Sequence, residues 1–190
     1  MVQRGDASAP RGRTVTNLRL LLFGSGTFAI PSFVAMAAAN GFDIVAVITT
    51  APHRAGRTGL LRRTPVALWA EGAHLPLLEV ERIRDSAVVA RIAALNADIG
   101  LLADFGQIVP SALLSAPRHG ILNLHPSLLP RHRGASPIPA AILAGDTATG
   151  VSTIAMDAGL DTGALVRVED RKSTRLNSSH VALSRMPSSA

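Results

Sequence analysis

From Leu18 onward the chain alternates short apolar runs with segments of helical period, and no other feature limits its fold as tightly. LRLLLF (Leu18 to Phe23), FDIVAVI (Phe42 to Ile48), Ile99 to Leu102, Ile121 to Leu124 and Val151 to Ala155 read as strands. Between them, Phe28 to Ala39, a segment opening at Thr64-Pro65, Asp85 to Leu95, Pro110 to Leu114 and Pro137 to Ala144 read as helices. Thr64 offers an N-cap oxygen, and Pro65 brings a φ already suited to a first helical turn. Val88, Ile92 and Leu95 share one helical face. Strands separated by helices predict an α/β fold, a mainly parallel sheet with helices on both faces. Ligands of such sheets bind outside the carboxyl ends of the strands. Function is therefore expected in the loops after Phe23, Ile48, Leu102 and Leu124.

At 190 residues and 47% hydrophobic content the chain can bury a sizeable core and is not a disordered one. Its formal charge of +6 would suggest a nucleic-acid partner, but the charge is unevenly placed. Residues 1–17 contribute +2 and residues 170–190 contribute +3, which leaves the middle at +1. Residues 1–17 are polar and non-periodic and read as a flexible arm. The end, DRKSTRLNSSHVALSRMPSSA, is Ser-rich, carries the only Lys of the chain, and matches the translation of a common short-read sequencing adapter. Residues 170–190 are thus expected to be a non-native tail, and 18–169 an incomplete domain. No apolar run approaches the roughly 20 residues of a membrane span, and no secretory signal opens the chain, so a cytoplasmic location without a membrane partner is expected. With no Cys, disulfides and thiolate metal sites are excluded, and no His spacing suggests a metal.

GSGTFA (Gly24 to Ala29) follows the first strand and fits the dinucleotide pattern GxGxxA, so a nicotinamide-dependent oxidoreductase is one alternative. That pattern needs an acidic residue about 20 positions on, at the end of the second strand. Here the strand ends Ile48-Thr49-Thr50, and Asp43 lies at its other end. The glycines then serve a tight strand-to-helix turn.

ILNLHPSLLPRHRG (Ile121 to Gly134) places two hydrogen-bonding side chains, Asn123 and His125, on a strand that otherwise reads as core. Two residues apart on an extended chain, they project to one side, about 6.6 Å from each other along the strand. An amide and an imidazole so aimed can hold a developing oxyanion; a turn Asn and a satisfied surface His are the plain alternative.

The segment ILNLHPSLLPRHRGASPI resembles the signature of the 10-formyltetrahydrofolate-dependent formyltransferases, with its Asn-x-His, SLLP and Arg-Gly. STIAMDAGLDTGALV resembles the loop that holds the family's Asp, here Asp161, and ADFGQIVP (Ala103 to Pro110) resembles its folate-pocket loop. LLLFGSGTFAIPSF, APHRAGRTG and TPVALWAEGAHLPLLE resemble the branch that formylates methionyl initiator tRNA. The likeness runs from about Leu18 to Glu169. It implies a Rossmann-like formyltransferase fold, truncated at its C-terminus, that lacks the rest of the catalytic domain and a small β-barrel. Residues 1–190 alone are therefore expected to be inactive. It implies a catalytic trio of Asn123, His125 and Asp161, with Asp161 favouring the imidazolium form of His125. Ser127, Leu128, Leu129 and Pro130, with Phe105, Gly106, Gln107 and Ile108, would hold 10-formyltetrahydrofolate, without a metal. Asp104 stands where relatives carry a small apolar residue and Pro139 where a Gln is expected, which leaves fine pocket shape open.

PHRAGRTGLLRR places Arg54, Arg57, Arg62 and Arg63 within ten positions and without an acidic residue. Clustered Arg neutralises phosphate, so initiator Met-tRNA is the expected partner of a monomeric enzyme; a solvated basic loop is the plain alternative. A formyltransferase acting on glycinamide ribonucleotide or an amino sugar nucleotide would share the trio without needing this loop.

Overall fold

A computed structural model describes residues 17–55 and 59–172. Its elements follow the order β1 (Leu18–Gly24), a 3-10 turn (Thr27–Ala29), α1 (Ile30–Ala38), β2 (Phe42–Thr50), β3 (His53–Ala55) and β4 (Leu60–Arg62). Then come α2 (Pro65–Gly72), β5 (Leu77–Val80), α3 (Ser86–Ala93), β6 (Ile99–Ala103), α4 (Ser111–Leu114), β7 (Ile121–His125), α5 (Pro137–Leu143), β8 (Ala148–Ala155) and β9 (Ala164–Lys172). Seven strands form one sheet in the order β5-β2-β1-β6-β7-β8-β9. The pairings from β5 through β7 are parallel, whereas β8 pairs antiparallel to both β7 and β9.

The apolar runs are uniform because both sheet faces are covered. Along β1, Leu21 and Phe23 join Ile48, Leu102, Ile83, Ile92 and Leu113 on one side. Leu20 and Leu22 join Val47, Leu101, Phe33, Val66 and Ala70 on the other. Alternate residues of a strand point to opposite faces, so one continuous apolar strand feeds two cores. Gly24 ends β1 where backbone and ring crowd together: a Cβ there would lie 2.7 Å from the Phe33 ring and 2.9 Å from the Ala103 carbonyl oxygen. Chain order reverses between β1 and β6, which makes the carboxyl ends of these strands and of β7 the place for a ligand.

The helices start and stop close to where their sequence signals predict. The Thr64 hydroxyl accepts the Ala67 N–H at 3.0 Å and shares a second hydrogen bond with Thr49 at 2.7 Å. Ile92 is buried, with Val88 and Leu95 packed beside the same cluster. Three elements depart from the expectation. The β3–β4 hairpin forms within the Arg-bearing segment, and two edge strands, β5 and β9, complete the sheet. β5 offers only four residues of alternation, and β9 (ALVRVEDRK) is exposed through Asp170 and mixes exposed Leu165, Val166 and Val168 with charged residues toward its end. β9 also runs past Glu169, pairing Asp170 with Gly150, Arg171 with Thr149 and Lys172 with Ala148. Backbone pairing is indifferent to side-chain identity, so the strand itself does not mark where a native sequence would end. Residues 1–16 and 173–190, which hold nearly all of the expected arm and tail, lie outside the described residues.

Replacing Thr64 by Val removes the cap of α2 and a buried partner of Thr49, and is expected to cost about 1–3 kcal/mol in denaturant unfolding. Thr64→Ser should recover most of that. Equal midpoints for Thr64→Val and the parent would show that the hydroxyl does not hold the helix start.

Candidate active site

Burial alternates along β7, with Ile121, Asn123 and His125 inside, so the two polar side chains do share one face. They are among the few polar residues in the core, at 8% and 4% exposure. The β8–β9 connection brings Asp161 over that face. Its Oδ1 accepts from Asn123 Nδ2 at 3.2 Å, and its Oδ2 accepts from the Gly134 N–H at 2.8 Å and stands 3.5 Å from His125 Nδ1. Asp161 adopts φ +51, which places its short carboxylate inward from a tight turn. The other imidazole nitrogen, Nε2, lies 2.9 Å from the His132 carbonyl oxygen. A carbonyl only accepts, so Nε2 carries the proton and Nδ1 is the nitrogen turned toward Asp161.

The loop after β7 is fastened at several points. Ser127, fully buried, donates to the Arg131 carbonyl at 2.7 Å, and its own carbonyl accepts from Ser152 at 2.8 Å. The Leu129 N–H donates to the same Ser152 oxygen at 3.1 Å, and the Leu129–Pro130 peptide is cis. Leu128 packs against Gly150, where even a Cβ would meet it at 2.5 Å. A small cavity of about 10 Å³ adjoins the trio, between Asn123, Ile154, Met156 and Asp161. That is room for roughly one water. A larger space of about 640 Å³ lies at the opposite, amino ends of the strands, by Arg19, Asp43, Asp98 and His119, away from this chemistry.

The family profile described as Formyl transferase matches residues 17–181. This chain belongs to the formyl transferase family. It is 45% identical over 152 residues to the methionyl-tRNA formyltransferase of Sphingopyxis alaskensis, covering 80% of this chain and 49% of that protein. It is 49% identical over 153 residues to the protein of the same name from Gluconobacter oxydans, covering 80% and 50%. The chain thus spans about half the length of these relatives. Among solved structures it resembles the phosphoribosylglycinamide formyltransferase of Anaplasma phagocytophilum, with TM-score 0.70 and 24% identity over 90% of this chain and 80% of that one. It also resembles a formyltetrahydrofolate deformylase from Pseudomonas syringae, with TM-score 0.65 and 20% identity over 84% and 52%. At such identities these two likenesses speak for a shared fold.

Of the loop expected to hold folate in this formyl transferase chain, Phe105 is buried edge-on against Phe23, with ring centres 5.9 Å apart. The Gln107 side chain accepts from the Ile83 N–H at 2.8 Å and donates to the Glu81 carbonyl at 3.2 Å. Those two residues shape the loop from beneath. Gly106, at φ +77, and Ile108, 84% exposed, are left toward solvent. In the Arg segment, Arg54 donates to the Gly59 carbonyl at 3.1 Å, and Arg62 is exposed on β4. Arg63 is engaged by two carboxylates absent from its own stretch, at 2.9 Å from Glu79 and 2.8 Å from Glu71. Its pKa is raised, mainly by the hydrogen bond to Glu79. Arg57 lies outside the described residues. Among the described residues no cluster of three His, Asp or Glu could hold a metal, and no helix is long and apolar enough to cross a membrane.

The GSGTFA turn is already filled. The Ser25 and Gly26 N–H groups, which an anion would need, donate to the Asp104 carbonyl at 2.8 and 3.0 Å. The Asp104 carboxylate covers Gly26 so closely that a Cβ there would stand 1.7 Å from Oδ2. A pyrophosphate cannot share that space. At the end of β2, Thr49 donates to Ser25 at 3.3 Å and Thr50 at 3.1 Å, so these hydroxyls serve the fold. Sequence reasoning flagged Asp104 as a departure without seeing what it does, because its partner turn lies nearly 80 positions away.

Crowding by the turn pushes the Asp104 pKa up, and a hydrogen bond from the Phe28 backbone opposes the shift. A carboxyl that ionises less readily folded than unfolded subtracts stability as pH rises past its ordinary value of 3.8, reaching its full effect above the raised value. Asp104→Asn, which tolerates the same φ of +47, is therefore expected to melt above the parent at neutral pH. That margin should close as the medium is acidified below the ordinary value. Thermal melts across this range check it; a margin independent of pH would mean that ionisation of Asp104 plays no part.

Proposed function

We propose that this chain is the catalytic portion of a cytoplasmic enzyme that transfers the formyl group of 10-formyltetrahydrofolate to the α-amino group of methionyl initiator tRNA, acting as a monomer. The observation that carries the reading is the meeting of Asn123, His125 and Asp161 on one buried face. The names of relatives 45% and 49% identical support the acceptor.

In the proposed reaction the amine nitrogen attacks the formyl carbon, giving a tetrahedral oxyanion. Free α-amines titrate at about 7.7–8.0, so a neutral fraction is present near neutral pH without a strong base. Asn123 has a second amide N–H beyond the one given to Asp161, and that N–H faces the forming oxyanion. His125, with its Nε2–H held by the His132 carbonyl, takes up a second proton at Nδ1, supplies the other donor and then gives that proton to N10 as the carbon–N10 bond breaks. Asp161 balances the imidazolium and receives the proton shed by the attacking amine, through a water in the adjoining cavity. Gly106, Ile108 and the Leu128–Pro130 segment contact the folate, with Phe105, Gln107 and Ser127 shaping the walls. Arg54 and Arg62, with Arg57 in the same segment, neutralise phosphates of the acceptor stem; Arg63, tied to Glu71 and Glu79, fastens the hairpin that carries them.

The same reading takes residues 18–169 as an incomplete catalytic domain, preceded by residues 1–17 and followed by a foreign 170–190. The genomic reading frame beyond Glu169 decides the last point.

In the full-length enzyme, Asn123→Ala and His125→Ala are each expected to lower kcat by about 10²- to 10³-fold. Arg54→Ala with Arg62→Ala should raise KM for the tRNA and flatten its salt dependence, leaving KM for the folate unchanged. A parent enzyme that prefers glycinamide ribonucleotide to Met-tRNA would remove the tRNA assignment.

A further inference from the structure

The turn between β7 and α5 holds a group of charges that none of these roles uses. Asp146, just beyond α5, accepts from His132 Nε2 at 2.6 Å with one carboxylate oxygen and from Arg131 at 2.5 Å with the other. The Asp146 side chain is only 10% exposed and that of His132 15%. The hydrogen bond from His132, followed by burial in opposition and the charge of Arg131, holds the Asp146 pKa low, so the carboxylate stays ionised at neutral pH. His132 sits at φ +55, in the left-handed region that few non-glycine residues adopt, though His does so more readily than most. The carbonyl of this same residue accepts the proton of His125 Nε2.

These contacts run in series. Asp146 fixes the His132 ring, the ring fixes the backbone of His132, and that backbone decides which nitrogen of His125 bears hydrogen. We propose that Asp146 is a positioning residue: acting through His132, it locks His125 in the Nε2-protonated tautomer and so presents Nδ1 to Asp161 and the reacting groups. The proposal rests on the catalytic role given to His125 above, and adds a residue outside the trio on which that role depends. The rest of the loop does not rely on Asp146. Ser127 holds the Arg131 carbonyl at 2.7 Å on one side, and Asp161 holds the Gly134 N–H at 2.8 Å on the other. Loss of Asp146 therefore frees the His132 turn between two anchors and leaves the loop's path in place.

The test uses Asp146→Ala and Asp146→Asn in the full-length enzyme, with nitrogen NMR of the His125 ring, assigned by comparison with His125→Gln, and steady-state kinetics. At a pH where His125 is neutral, the parent should show one tautomer, protonated at Nε2. Asp146→Ala should show a mixture, with kcat about 10- to 100-fold lower, by analogy with the loss on removing a residue that orients a metal-binding His. KM for the folate should stay within a factor of a few. Asp146→Asn, which keeps an acceptor for His132 but not the charge, should restore part of both signals, and it serves as the test variant if Asp146→Ala does not fold. A His125 spectrum unchanged in the variant tested, or a lower melting temperature with kcat intact, would overturn the proposal. If the spectrum shifts as expected but the parent transfers no formyl group, positioning stands and the functional reading falls.

Discussion

One carboxylate closes the site. Asp161 reaches Asn123 and His125 from the β8–β9 connection and Gly134 from the loop after β7, so three stretches of chain meet at its two oxygens. Each of these partners would be costly to bury alone. A buried side-chain amide or backbone N–H without an acceptor gives up its hydration for nothing. Asp161 removes that cost for both at once, and no buried side-chain nitrogen or oxygen lacks a hydrogen-bond partner among the described residues. The antiparallel turn of the sheet at β8 makes this possible. Had β8 continued the parallel pattern, its following loop would leave from the carboxyl edge; instead the connection to β9 folds back across the face of β7 that bears the two side chains.

The central strands and the helices around them were legible because each carries a local signal. Unbroken apolar runs mark strands buried on both faces, and Thr64-Pro65 marks a helix start that the structure realises through a real N-cap bond. The same-side projection of Asn123 and His125 followed from the period of a strand. β5 and β9 were not legible, since edge strands are defined by what they pair with, and neither a four-residue run nor a stretch that mixes apolar and charged residues announces a partner. The contact of Asp161 with the pair came only through family likeness, for no local pattern links residues 36 positions apart.

Charge pairing misled most where sequence proximity stood in for distance. The Arg-bearing segment has no acidic residue of its own, yet Arg63 meets Glu71 from α2 and Glu79 from β5. A guanidinium held by two carboxylates has little left to offer a phosphate, whereas one anchored this way can set the angle of a hairpin. Asp104 shows the converse. It looked like an unexplained acid in a folate loop, and it proves to be an exposed carboxylate of the chain's own, lying where the GSGTFA turn would otherwise receive a foreign anion.

Transition-state stabilisation by fixed dipoles works when the donors are in place before charge develops, so that nothing must reorganise as the reaction proceeds. On β7 the donors are fixed from opposite directions. Asn123 is held from above by Asp161. His125 is held by Asp161 at one nitrogen and by the His132 carbonyl at the other, with that carbonyl kept in an uncommon backbone conformation by a second buried carboxylate. The imidazole therefore has one orientation and one tautomer, and the strand beneath it is paired on both sides, with β6 and β8. A water-facing loop could present the same two side chains but could not hold them still, which is the advantage a core strand gives the proposed chemistry.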